Sequence, residues 1–332
     1  MAIAPERGWH WGTFFFISSI STLLYLVVVW ITVTSQHVNF RSFFFNLFQS
    51  QCIIDIIFVW VYAFISLSME EAFGRDFAVN LADIFPALLY SYVYYFVYAQ
   101  ILGVLAITIN RVFLLFNPGD SVVVTCSNGL PRLGIFSAHV VLSFLAAWRH
   151  WLFPHVAVIQ GIDGHINQTT NIQSVEEHSQ QALIASSGAF VICAACYIAI
   201  VIRTCAIMSM QPTPRTSWRH EVGLTVAGCV YSLALLVKAT YFWAIHIASV
   251  NDRYDVVLFM RQEFFAYIVL FMSYVNPWTI LITHRDVRNR VFMLIRLRKP
   301  IAVGPDGWLV ASSLPPPSFG IELGVVYPPV YN

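Results

Sequence analysis

The chain has 332 residues, of which 58% are hydrophobic and only 11% charged, and its mean hydropathy is +0.69. A soluble domain carries about 25% charged residues, so the composition excludes a soluble enzyme and a disordered protein alike. The net charge of +1 gives no reason to expect a nucleic-acid partner; the placement of the charges is what informs.

A helix crosses the hydrocarbon core with about 20 apolar residues at 1.5 Å each. Seven stretches qualify, and they predict spans at about 11–34, 43–67, 84–110, 133–153, 181–202, 222–248 and 258–283. The first and third carry no charge. The second holds Asp55, the sixth Lys238, and the seventh Arg261 and Glu263 near its start. The fourth is the weakest, because Arg149 and His150 crowd its end. The expected fold is an all-α membrane protein, a seven-transmembrane helix bundle.

Charge asymmetry orients it. With the N-terminal residues 1–10 outside, twelve basic residues fall on the cytoplasmic side and five, Arg7, Arg75, Arg149, Arg253 and Arg261, on the other. Positive charge collects in cytoplasmic loops, so the N-terminus is expected outside and the C-terminus in the cytoplasm. The sequon Asn167-Gln168-Thr169 then lies outside, available for a glycan. The first span, too long for a signal-peptide core, reads as a retained signal anchor. No cysteine falls in an exoplasmic loop, so no extracellular disulfide is expected, and the pair Cys193 and Cys196 reads as buried apolar packing.

Residues 285–299 carry five arginines and a lysine beside Val287, Val291, Phe292, Leu294 and Ile295. That pattern predicts an amphipathic helix on the anionic membrane lipid of the cytoplasmic leaflet. Residues 300–332 hold seven of the chain's 15 prolines and read as a disordered tail. The tail ends in Pro328-Pro329-Val330-Tyr331, a match to the proline-rich ligands of WW-domain proteins.

Three motifs stand at characteristic depths: Asn110-Arg111 at the inner end of span three, Asp55 midway through span two, and Asn276-Pro277-Trp278 low in span seven. With Ser42-Phe43-Phe44-Phe45-Asn46-Leu47-Phe48 leading into span two, the chain resembles the rhodopsin-like G-protein-coupled receptors. It looks closest to the nematode serpentine chemoreceptors of class gamma, from about Trp11 to Arg298. The resemblance implies a small-molecule ligand outside and a heterotrimeric G protein inside. It assigns Arg111 to G-protein coupling and Asn276 and Pro277 to a switch; the bland alternative for Arg111 is a positive flank. The chain departs from the pattern in three ways: Asn110 replaces the usual acidic neighbour, Ile280 stands where a tyrosine is usual, and spans five and six lack proline.

A carboxylate in mid-membrane costs about 3 kcal/mol on insertion scales and faces a partner. Asn276 is the first candidate partner for Asp55, a pairing the resemblance also implies, sometimes around a sodium ion, and Gln100 would extend the polar cluster. A neutral buried acid without a switching role is the alternative. Tyr90, Tyr94 and Tyr98 share a face of span three and suit the wall of an outward pocket or, equally, an interfacial belt. Lys238 either reads an anionic or carbonyl-bearing ligand or pairs structurally with Glu263. No lysine lies in span seven for a retinal-type Schiff base, no metal-ligand set or nucleophile motif is apparent, and Asp55 lacks a second carboxylate for intramembrane catalysis. The expectation is a chemosensory receptor of the plasma membrane of a sensory neuron, not an enzyme. A seven-span transporter or channel using Asp55 and Lys238 as its polar path is the alternative.

Overall fold

The computed structural model describes residues 8–34, 43–70, 86–116, 132–152, 156–160, 166–170, 172–210, 215–294, 302–303 and 309–310. The side chains at several element ends, those of Tyr90 and Asn167 among them, lie outside that description. So do residues 1–7 and the Pro328, Pro329 and Tyr331 motif. The chain divides into two units, Met1–Val291 and Phe292–Asn332.

In the first unit the helices are α1 (Gly8–Thr34), α2 (Phe43–Glu70), α3 (Pro86–Phe116), α4 (Arg132–Leu152), α5 (Ile172–Met210) and α6 (Arg215–Val250). A further helix, α7, runs from Tyr254 to Phe259, through a π-turn at Met260–Phe264, and on as Phe265–Thr283; α8 (Arg285–Leu294) follows it. Strands β1 (Val156–Gln160) and β2 (Ile166–Thr170) pair antiparallel between α4 and α5, with Ile159 opposite Asn167. In the second unit, within the stretch expected to be disordered, β3 (Ala302–Val303) pairs antiparallel with β4 (Leu309–Val310).

Six helices among the described residues are long and apolar enough to cross a membrane: Trp11–Thr34, Phe44–Leu67, Ser91–Phe113, Val175–Ala206, Val222–Val250 and Phe265–Thr283. The predicted span at 133–153 forms a helix but is not among them, because His139, Arg149 and His150 dilute its apolar run. Its packing explains that composition. Buried His139 donates from Nε2 to the Ala99 carbonyl of α3, at 2.8 Å, and accepts at Nδ1 from the Ser50 hydroxyl of α2, at 2.9 Å. A carbonyl only accepts, so the ring tautomer follows from the geometry. A polar residue that lowers the hydropathy of α4 is thus what fastens it to the bundle.

Helix α3 sits at the centre, against α2, α4, α5 and α6, while α7 closes the ring against α1, α2 and α6. α1 and α5 are the least buried spans. Phe16, Leu23, Leu26 and Trp30 of α1 are exposed; in water such a face would drive association, whereas lipid tails are as apolar as leucine. The core is rich in aromatics, as in the Phe58–Phe96 stack at 4.8 Å between α2 and α3.

Candidate functional site

The helices alternate in direction, so residues at one depth can be read across the bundle; the face where α1 begins is called here the N-terminal face. Mid-bundle, five helices contribute polar side chains to one cluster around Asp55, which is fully buried on α2. Oδ1 of Asp55 accepts from Gln51 Nε2 and Gln100 Nε2, each at 2.9 Å. Oδ2 accepts from Asn276 Nδ2 at 3.0 Å and lies 2.9 Å from the Tyr25 hydroxyl. Three amide donors therefore hold the carboxylate, and the Tyr25 hydroxyl, with a single proton to give, lies beside it. The expected contact between Asp55 and Asn276 is present, and Gln100 extends the cluster as the sequence suggests.

Gln100 has a second role. Its Oε1 accepts from Lys238 Nζ at 2.7 Å, and its Nε2 also reaches Ser273 Oγ at 3.0 Å. One neutral amide thus stands between the buried ammonium and the buried carboxylate and takes part in hydrogen bonds to both. Lys238 is 2% exposed and points inward. Among the described residues no ion pair joins it to Glu263, which is half-buried on the π-turn. Of the two sequence readings for Lys238, the structural pair with Glu263 is the one that does not form. A mid-helix lysine can reach inward to an amide or outward along its stem, and sequence depth does not distinguish the two.

Pro277 has no N–H, so the carbonyl four residues earlier, that of Ser273, loses its helical partner. Tyr25 on α1 supplies the replacement, its hydroxyl lying 2.5 Å from Ser273 O. The same hydroxyl therefore touches both the proline-freed backbone and Asp55, tying α1, α2 and α7 at one point. Trp278 Nε1 adds a bond to Ser21 Oγ of α1 at 3.1 Å. The cluster also depends on Gly103 of α3, where a Cβ would lie 1.6 Å from Gln51 Oε1; glycine lets Gln51 cross α3 on its way to Asp55.

A sodium ion needs oxygen ligands, with the carboxylate open towards it. Here amide nitrogens of Gln51, Gln100 and Asn276 face Asp55, and a lysine stands one amide away. The donor set, as arranged, does not fit a resident cation.

Toward the N-terminal face lies a layer of rings. Tyr62 meets Phe14 at 6.1 Å and Phe265 at 5.5 Å, and Phe265 meets Tyr241 at 5.7 Å. Tyr94 and Tyr98 turn the other way, towards α4 and α5. Tyr94 stacks on His150 at 4.3 Å with 5° between the planes, and His178 lies 4.3 Å from His150 and 5.4 Å from Tyr94. Tyr98 is 5.8 Å from His150. Tyr94 and Tyr98 thus join two histidines that sequence reasoning missed; the sole hint was a histidine near one end of each flanking span.

Toward the opposite face, Asn110 and Arg111 are both buried. The Arg111 guanidinium lies over the Phe44 ring at 5.9 Å, within the range of a cation–π contact. Beyond them, His284 packs edge-on against Phe45 at 5.5 Å and accepts at Nδ1 from the Val287 amide. That starts α8, whose Val287 and Val291 are buried. Tyr25, Gln51 and Ser273 were invisible as site residues in the sequence, although the proline rule does point to the Ser273 carbonyl.

Comparison with known protein families matches residues 14–297 to the serpentine type seven-transmembrane G-protein-coupled chemoreceptors, Srv. The description names Srv and does not name class gamma. Comparison with curated proteins finds no match. The matched segment takes in the helical bundle from residue 14 of α1 onward, with Asp55, Asn110-Arg111 and Asn276-Pro277 inside it. This chain belongs to the Srv family of serpentine seven-transmembrane chemoreceptors.

Proposed function

We propose that the protein is a chemosensory receptor that binds a small molecule from outside the cell and activates a heterotrimeric G protein inside. Its setting in this reading is the plasma membrane of a sensory neuron, with α4 completing seven spans and the N-terminal face outside. Family membership supports the receptor class. The observation that carries the reading is the hydrogen-bonded chain Lys238–Gln100–Asp55–Asn276, one side chain from each of four helices. It runs from beneath the aromatic layer to the residue beside Pro277. Such a chain gives a ligand on one side a physical route to the helix that ends at the other.

Arg111 is the G-protein contact in this reading, released from its position over Phe44 when the inner ends of the helices part. Asn110 cannot form the ion pair that an acidic neighbour would, so the resting state is held by packing and by the Asp55 cluster. Asn167 carries a glycan on the outer hairpin, α8 rests on anionic lipid, and the terminal Pro-Pro-Val-Tyr segment recruits a WW-domain protein for receptor removal. The transport alternative would also use Asp55 and Lys238. Against it, both carboxylate oxygens of Asp55 are engaged by amide donors within the cluster, where a conducting path needs its carboxylate open to solute or water.

Two measurements test the proposal. In intact cells, a tag at the N-terminus is expected to be accessible, and Asn167→Gln is expected to abolish a glycosidase-sensitive mass shift; an inaccessible N-terminus would sink the receptor topology. In membranes with added G protein, basal or ligand-stimulated nucleotide exchange is expected to fall at least about tenfold for Arg111→Ala. Exchange that does not depend on Arg111, together with solute flux that depends on Asp55, would favour transport.

A further inference from the structure

We infer that Lys238 reads the ligand directly, and that the ligand presents a carbonyl-type oxygen, as in a ketone, an ester or a carboxylate. The inference rests on the receptor reading and names the ligand class for it.

The first argument is a donor count. An ammonium carries three N–H groups. Lys238 is 2% exposed, and its acceptor among the described residues is Gln100 Oε1 at 2.7 Å. Two donors of a buried cation thus lack a protein acceptor there. Buried charges are retained where hydrogen bonds meet their full capacity, so the remaining N–H groups call for acceptor oxygen from outside the protein.

The second argument is position. Tyr241 lies three residues beyond Lys238 on α6, hence on the same helical face and one turn nearer the N-terminal face. From Tyr241 the rings of Phe265, Tyr62 and Phe14 follow in contact, at 5.7, 5.5 and 6.1 Å. A molecule with an apolar body and an acceptor oxygen would part these packed rings with its body and set its oxygen on the ammonium.

The third argument is charge. Lys238 is the basic side chain of the buried cluster, and one Gln100 amide stands between it and Asp55. An amine ligand would bring a like charge to Lys238. A neutral carbonyl leaves the balance unchanged, and a carboxylate is drawn by the ammonium; both present the same oxygen. Occupancy would also propagate. An oxygen that draws Lys238 away from Gln100 frees the amide that donates to both Asp55 Oδ1 and Ser273 Oγ.

The test uses the full chain in lipid nanodiscs and reads thermal unfolding with matched probes on two bodies. Phenylacetone, phenylacetate, phenethylamine and propylbenzene form one series; 2-octanone, octanoate, octylamine and octane form the other. In at least one series the ketone or the carboxylate is expected to raise Tm by about 3 °C or more over its hydrocarbon. The amine is expected to give no such gain. The ketone and carboxylate arms separate a neutral acceptor from an anion. Lys238→Met, which keeps an unbranched chain without its donors, is expected to erase the preference, and Lys238→Arg to retain part of it. Equal shifts for all probes, a preference for the amine, or a carbonyl preference that survives in Lys238→Met would overturn the inference. Should Lys238→Met fail to fold, the wild-type series and Lys238→Arg decide it. An outside N-terminus with Arg111-dependent exchange but no carbonyl preference would leave the receptor reading standing and remove this one.

Discussion

The Asp55 cluster and the Tyr94–His150–His178 cluster are both buried and both draw on three or more helices, yet they are held by different forces. Around Asp55 the contacts are directional hydrogen bonds, with three amide donors on the carboxylate and the Tyr25 hydroxyl beside it. Around His150 the contacts are ring faces, and Nδ1 of His150 has no hydrogen-bond partner among the described residues. Directional bonds fix one arrangement and penalise every other, because a displaced buried donor loses its partner outright. Ring contacts change gradually as the rings slide. The first cluster suits a two-position switch and the second a compliant joint between α3, α4 and α5.

That contrast can be broken at several points. The largest effect is expected for Asp55→Ala, which takes the acceptor from three amide donors and leaves Lys238 without an opposite charge in the cluster. The loss should be roughly 3–5 kcal/mol, seen as a steep fall in Tm and in monodisperse yield. His150→Ala removes the ring on which Tyr94 and His178 pack and should cost about 2–4 kcal/mol, the range for emptying a buried aromatic site. Tyr25→Phe keeps the ring but withdraws the hydroxyl from Ser273 O and Asp55, for about 1–2 kcal/mol in chemical denaturation.

His150→Phe sharpens the comparison most. If ring contact holds that joint, Tm should change by less than about 2 °C, since phenylalanine keeps the stack and removes the unpartnered nitrogen. A loss as large as that of His150→Ala would mean that the imidazole nitrogens matter, and the contrast would fail. The smallest effect is expected at Asp255. Arg253 donates to both its carboxylate oxygens at 3.2 Å and holds its carboxyl below the usual carboxylate range. A lowered value contributes stability that is present above the unfolded value and lost as pH falls through the folded one. Both side chains are exposed, so Asp255→Asn should leave Tm unchanged at neutral pH, and acidification below pH 4 should not separate it from wild type.

Much of this molecule can be read from its sequence, and the parts that cannot share a cause. Apolar runs locate the spans because length and hydropathy act along the chain. Asp55 announces itself because an isolated carboxylate in lipid demands a partner, and Asn276 at matching depth meets that demand. Lys238 was given Glu263 as one candidate partner on depth alone; which way its stem turns depends on helix rotation, a three-dimensional quantity. Tyr25 lies in an uncharged run where nothing distinguishes it from other aromatics, and its role follows only once Pro277 is seen to free the Ser273 carbonyl beside it. The fourth span looked weak because Arg149 and His150 crowd its end, and the residue that secures it, His139, gave no signal in the sequence. The alternation in Val156–Gln160 and the polar run Ile166–Thr170 form a hairpin where the sequence reading had a loop, the pairing being local but weak in pattern.

The π-turn at Met260–Phe264 has a consequence for reading relatives of this chain. Each π-turn accommodates one residue more than the α-helical turn it replaces. The part of α7 nearer the N-terminal face, including Arg261 and Glu263, is therefore out of phase by about 100° with a straight continuation of Phe265–Thr283. A relative lacking the turn would need a one-residue gap between positions 259 and 265 before its residues could be matched with these. Without that gap, residues that line the bundle interior in one chain would be equated with lipid-facing residues in the other, and differences in chemical preference would be credited to the wrong side chains.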